Sequence, residues 1–483
     1  MLPTWLTSFF FTLDLLLRLY FGFRILRRKL PVGVAWAWLS LILFLPIFGT
    51  ILYGFLGEYR MGRRRLRRLL SATAAAQRIG AKFLPAPEPS DPLSAREASL
   101  ARAIELLFTA PMSNGNDIEL LRSAEEAFPQ MIADVNAAQE SCDMEFYIWS
   151  DGGRADDFGE ALLGAAARGV RCRVLLDQVG SAKFLRGPQA RRLRDGGVEL
   201  KAALPSGLFR SLIARPDLRI HRKILVIDGK IAYTGSLNLA DPKHFKRSAG
   251  VGPWVDAQCR LKGGAVRLLA LVFATDWSVE TGADPVSLAS GLNFKDAAVE
   301  KRARIQCLPS GPALKNSEIE EVLLMAIYAA KRELVLTTPY FVPSESLLYA
   351  LMSAARRGVR VVLIAPEQVD SRLTHYASRA FLKELIEAGV LVGLYRLGML
   401  HTKSVTVDGN FSLFGSLNLD PRSLRINFEI TLAVYDEGFA GALVKLQESY
   451  LENCVMLDST FGNRDSWITG LKEDLARLAG PLL

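Results

Sequence analysis

The chain has 483 residues, 59 of them basic and 50 acidic, a formal charge of +9, and half of it is hydrophobic. Ten basic residues and a single acid, Glu58, fall between Arg24 and Arg68, so the whole excess sits there and the 415 residues that follow are neutral. This excludes a uniformly basic nucleic-acid coat and wholesale disorder, and five scattered cysteines without a CxxC pair exclude a disulfide framework and fit a reducing compartment.

The N-terminal region reads as membrane-associated. Pro31–Gly57 carries no charge over 27 positions, and about 20 apolar residues suffice to cross a bilayer as helix. Leu2–Phe23 is expected to form a second membrane helix or an interfacial one, with Asp14 and Arg18 four apart on one face so that they neutralise each other. A signal peptide is not expected, because the start is uncharged and no small-residue cleavage site follows. If both segments span, the larger basic cluster, Arg60–Arg68, is cytoplasmic together with everything after it. If Pro46 and Gly49 break the second helix, it forms a re-entrant hairpin and both clusters are cytoplasmic; the sequence leaves both open. Residues 1–70 are therefore read as a membrane module and 71–115 as a linker, with four prolines between Phe83 and Leu93.

An internal repeat follows. Met144–Trp149, a helix, Arg168-Gly169-Val170-Arg171 and the strand Arg173–Asp177 are matched by Leu334–Val342, a helix, Arg357-Gly358-Val359-Arg360 and Val361–Pro366, with offsets of 180 to 193. Strands alternating with helices predict an α/β fold with two homologous lobes, at 116–280 and 304–483, joined by a polar linker at 281–303.

The best-matched part of the repeat is chemical. His221-x-Lys223, Asp228-Gly229 and Gly235-Ser236-Leu237-Asn238 recur as His401-x-Lys403, Asp408-Gly409 and Gly415-Ser416-Leu417-Asn418, nine of nineteen positions being identical without a gap. His and Lys two apart on a strand share a face, and Asp-Gly predicts a hairpin turn. The return strand then delivers a hydroxyl, a carboxamide and backbone N–H groups beside the imidazole and ammonium. That set suits a tetrahedral oxyanion, most naturally a phosphodiester. A lone His-x-Lys is usually structural. Two copies with the same span of 17 from His to Asn, holding two of the chain's four histidines, reverse that reading. No metal is expected, because a protonated lysine repels a cation and no third ligand is in evidence.

These motifs are those of the phospholipase D superfamily, with HxKxxxxD and GSxN twice per chain, and the sequence resembles its bacterial cardiolipin synthases. The resemblance includes the apolar N-terminal pair and the segment Gly57–Arg64. It extends to Thr338-Pro339-Tyr340-Phe341, to Asn418-Leu419-Asp420-Pro421-Arg422-Ser423, and to a terminal Gly480-Pro481-Leu482-Leu483. One departure is Trp254-Val255-Asp256, where the family usually has Trp-Arg-Asp.

The resemblance implies that both lobes form one site. His221 is then the nucleophile and His401 the general acid/base. Lys223, Lys403, Asn238 and Asn418 hold the phosphate oxygens, with added bonds from Ser236 and Ser416. Asp256 and Glu429 are candidates to orient the imidazoles of the first and second lobe respectively. Asp228 and Asp408 count with the catalytic set by signature, yet each lies at the far end of a strand from its His, where it pins the hairpin or pairs with a base. Tyr147, Tyr340 and Phe341, at strand ends, are candidates for the lipid path, Tyr340 first.

The implied activity joins two phosphatidylglycerols into cardiolipin and glycerol, without a cofactor, at the inner membrane of a bacterium. Its partners are phospholipids and an anionic membrane, nucleic acid is not expected, and the oligomeric state is left open. Hydrolytic phospholipase D and phosphatidylserine synthase share the constellation. A nuclease would call for a basic groove in lobes that are neutral, and an inert scaffold would not need both motifs.

Overall fold

The computed structural model describes residues 4–28, 30, 32–58, 60–83, 93–204, 215–284, 303–312, 318–461 and 466–478. It divides into two compact units, Met1–Leu66 with Ser206–Leu218, and Arg67–Pro205 with Arg219–Leu483.

In the first unit, the apolar run near Pro31–Gly57 does not make one long helix. After α1 (Thr4–Arg27), it forms α2 (Val32–Phe44) and α3 (Pro46–Leu56). Pro46 disfavours helical geometry at the residue before it, and Leu45 takes φ −124°, ψ 72°. The bend is sharp enough that a Cβ on Gly49 would lie 2.3 Å from the Leu41 carbonyl oxygen. The expectation of a full span is corrected accordingly: among the described residues no helix is long and apolar enough to cross a membrane. The three helices share a small core of Ile25, Trp38, Ile42 and Tyr53, while Trp5, Phe9, Phe11, Trp36, Phe44 and Ile47 stay exposed. Asp14 and Arg18 form the anticipated i,i+4 ion pair, and Arg24 pairs with Glu58.

The second unit is built on one fifteen-stranded sheet. From one edge the first lobe supplies Glu199–Ala203, Arg171–Asp177, Ser141–Phe146, Lys223–Ile227, Ile231–Gly235, Gln258–Lys262 and Ser113–Leu121. The second lobe continues with Ala303–Ser310, Glu429–Tyr435, Phe411–Gly415, Ser404–Val407, Glu333–Thr337, Arg360–Pro366, Leu391–Tyr395 and Cys454–Met456. The two halves repeat the same strand permutation, and they join where Ser113–Leu121 pairs antiparallel with Ala303–Ser310. Both faces are covered. Helices Gly264–Thr281 and Glu437–Leu451 fill a core common to both lobes, and separate cores lie on the outer faces.

The segment read as a linker is largely helical. Arg63–Phe83 forms α4 and Ala95–Phe108 forms α5, which starts with a capping box at Ser94 and Glu97. Although α5 precedes the first lobe in the chain, its Leu100, Ala101 and Ile104 pack into the core of the second. Gln306 donates to the carbonyls of Ala101 (3.0 Å) and Ala110 (2.9 Å). The proline-rich run at 84–92, most of the inter-lobe linker and the terminal Gly480–Leu483 lie outside the described residues.

Candidate active site

Each signature is a hairpin with one turn chemistry. Asp228-Gly229 and Asp408-Gly409 carry positive φ at both positions, 52° and 63° in the first and 52° and 78° in the second, which is the twist that two-residue hairpins require. The aspartates are not brought to the cleft, so the catalytic assignment by signature is corrected in favour of the pinning role. Asp228 accepts from the backbone N–H groups of Gln139, Glu140 and Ser141 at 2.7 to 3.2 Å. Asp408 does the same for Lys331, Arg332 and Glu333, and it also receives Arg96 at 2.6 Å.

At the other end of each hairpin the lobes exchange backbone hydrogen bonds. The N–H of His221 donates to the Phe428 carbonyl at 2.9 Å, and those of His401 and Thr402 donate to Val255 at 2.8 and 3.1 Å. This crossing reverses the expected pairing of the acids. His221 Nδ1 meets Glu429 of the second lobe at 2.8 Å, and His401 Nδ1 meets Asp256 of the first at 2.7 Å. Sequence reading found both acids. It could not find their partners, because the segment before each acid pairs across the lobe boundary.

Ser236 and Ser416, expected to bind substrate, instead donate to these carboxylates at 2.6 and 2.5 Å and hold them toward the imidazoles. The residue between His and Lys also braces the other lobe. Arg222 donates to the Glu429 carbonyl (3.0 Å) and pairs with Asp276, while Thr402 donates to the Val255 carbonyl (3.3 Å). Val255, standing where the family usually has Arg, thus contributes through its backbone.

The histidines face a common cleft of about 380 Å³, lined also by Asn238, Asn418, Tyr147 and Tyr340. Asn238 Oδ1 accepts from the Ile148 N–H at 3.3 Å, which leaves its amide donors for the cleft. Tyr147 packs on His221, with centroids 4.8 Å apart. Phe341 is a core residue, as its strand-end position allowed. Sequence reading missed Trp254, whose ring lies 4.4 Å from that of His401, and also Lys246 and Asp370. The Trp254-Val255-Asp256 triplet carried a signal for the first. Nothing local marked the other two.

Burial pushes His221 down to about 4 and His401 down to about 3, against the opposing pull of Glu429 and Asp256. Burial also lowers Lys223 to about 8 and Lys403 well below the usual lysine range. The two acids resist burial and stay below their ordinary values, because an imidazole and a lysine face each of them. Each lysine donates to the carbonyl of its own signature histidine. Asp256 and Glu429 oppose this loss of charge on both lysines, and a bound anion would oppose it further. Among the described residues, no three His, Cys, Asp or Glu side chains converge as a metal site.

The family model described as "Cardiolipin synthase, PLD-like domain" matches residues 131–248 and 323–453, which carry both hairpins. The chain is 41% identical over 465 residues to cardiolipin synthase A of Erwinia tasmaniensis, covering 95% of each chain. The chain belongs to the cardiolipin synthase family. Cardiolipin synthase A of Serratia proteamaculans is 40% identical over the same share of both chains. A crystal structure of phosphatidylserine synthase from Haemophilus influenzae has the same fold, with a TM-score of 0.60 at 17% identity over 80% of this chain and all of that one. As a member of the cardiolipin synthase family, the chain is a phosphatidyltransferase.

Proposed function

We propose that the chain makes cardiolipin from two phosphatidylglycerols through a covalent phosphatidyl-histidine. The observation that carries this reading is the crossed geometry: two imidazoles facing one cleft, each fixed through Nδ1 by a carboxylate of the opposite lobe. With Nδ1–H donated to Glu429, His221 keeps its Nε2 lone pair for attack on phosphorus. The phosphorus–nitrogen bond forms as the phosphorus–oxygen bond to the leaving glycerol breaks, and His401 gives that oxygen its proton. The negative charge of the phosphodiester beside His401 opposes the burial, and the lesser pull of Lys403 and Lys223, that lower it, and so lets it carry the proton. A second phosphatidylglycerol then attacks through its primary hydroxyl, His401 takes that proton, and the bond to His221 breaks. Lys223, Lys403, Asn238 and Asn418 hold the non-bridging oxygens throughout.

The N-terminal unit is read as a membrane anchor. Its exposed aromatic faces and the break at Pro46 support a re-entrant or interfacial seat in a bacterial cytoplasmic membrane, with both arginine clusters on the cytoplasmic side, where anionic lipids attract them. The test supplies the purified chain with phosphatidylglycerol vesicles or with DNA and analyses products by mass spectrometry. Cardiolipin and glycerol are expected in equal amounts. DNA cleavage without lipid turnover would refute the proposal.

A further inference from the structure

The catalytic groups are related by the repeat, but the cleft walls beside them are not. Equivalent contacts of Trp149 with Leu239 and of Phe341 with Leu419 make Ile148 the counterpart of Tyr340. The first lobe therefore offers an apolar side chain where the second offers a phenol. The Tyr340 hydroxyl donates to Asp370 Oδ1 at 2.7 Å, and Lys246 of the first lobe reaches Asp370 Oδ2 at 2.7 Å. The Lys246 ammonium also lies 5.2 Å from the ring centroid of Trp254, whose ring is tilted against that of His401. Asp370 and Tyr340 line the same cleft as His401. This polar cluster thus stands next to the group that must handle the acceptor's proton.

The chemistry of the cluster is specific. A carboxylate has roughly four lone-pair sites. The two protein donors to Asp370 take one site on each oxygen, so each oxygen keeps one acceptor site. An open site on this carboxylate can hold one hydroxyl of a vicinal diol while its neighbour reacts, whereas a monohydric alcohol, with its single hydroxyl at the reacting position, has none left to place there. Resting on the cardiolipin reading above, we propose that Asp370, fixed by Tyr340 and Lys246, is the residue that selects a vicinal diol as acceptor. It binds the secondary hydroxyl of the incoming glycerol headgroup and so delivers the adjacent primary hydroxyl to His401. The glycerol that leaves in the first half-reaction passes the same carboxylate in reverse.

The test uses the full chain on phosphatidylglycerol vesicles with equal amounts of 1,2-propanediol and 1-propanol. Both alcohols react with the same phosphatidyl-enzyme, so the product ratio reports acceptor choice and is independent of how fast the intermediate forms. The unaltered chain is expected to favour the diol at least tenfold. Asp370→Asn should bring the ratio to near one, and Tyr340→Phe should bring it part of the way. An unchanged ratio in Asp370→Asn overturns the proposal. So does loss of every product in both variants with their circular dichroism intact, since that would place the pair in the chemistry and not in acceptor choice. If the unaltered chain transfers to both alcohols but makes no cardiolipin, the cardiolipin reading fails, while the diol preference still decides the role of Asp370.

Discussion

At the scale of residues, burial disfavours charge on both histidines, which keeps His221 neutral for attack and leaves the substrate phosphate to restore the proton on His401. His221→Ala and His401→Ala are each expected to abolish turnover, and a phosphorylated-histidine adduct should be trapped in His401→Ala and absent from His221→Ala. An adduct on His401 would exchange the two roles. The pH dependence has a definite sign. The nucleophile works as neutral imidazole, so kcat/KM should rise as pH increases through about 4, where His221 loses its proton. On the alkaline side it should fall as the acid His401 and the two lysines, all lowered by burial, lose their protons, Lys223 doing so at about 8. Glu429 raises the imidazole's affinity for its proton, so Glu429→Gln should move the acid limb to lower pH and depress the plateau by roughly 10²-fold or more. A plateau change with an unmoved acid limb would refute the crossed pairing. The signature residues are legible in the sequence itself, because their type and spacing alone fix the chemistry. The pairing is not, since Glu429 lies 208 positions from His221 and only the backbone exchange between lobes brings them together.

At the scale of elements, the two Asp-Gly turns are clamps. Each carboxylate gathers the backbone N–H groups that open a neighbouring strand. Asp228→Ala should therefore cost about 1–3 kcal/mol for the orphaned donors and about 1 kcal/mol more for Ala in left-handed geometry. Thermal unfolding would measure this; an equal loss of kcat in the folded fraction would return the residue to the chemistry. Asp-Gly between apolar runs announced these turns, and the repeat announced the strands around them. The N-terminal helices were harder to read, since hydropathy measures the length of an apolar run and Pro46 decides whether that run is one helix or two. The helices within 71–115 were hidden for a similar reason. Four prolines mark a break in the chain, but the capping box of α5 lies just beyond them.

At the scale of the whole molecule, a neutral catalytic body follows a strongly basic stretch. The exposed Arg63 and Arg64 with Arg65 are each worth about 1 kcal/mol toward an anionic surface. Replacing all three by Gln should weaken sedimentation with phosphatidylglycerol vesicles at low salt and flatten its dependence on ionic strength. Unchanged sedimentation would reduce the cluster to a topology signal. The overall architecture was largely readable, because an internal duplication states its own symmetry. The asymmetry within it, Tyr340 against Ile148, needed the strand register.

The crossover of α5 also sets a timetable for synthesis. Its apolar face packs against the helix Glu318–Ala329, in a core that runs on as far as Ala476, so this partner leaves the ribosome roughly 220 residues after α5 does. At about 5–20 residues per second, α5 waits on the order of ten to fifty seconds with that face uncovered. The first lobe can complete its own outer core during this delay. The nascent chain must meanwhile keep one greasy helix from the wrong partner, and α5 is where a chaperone would be expected to hold it.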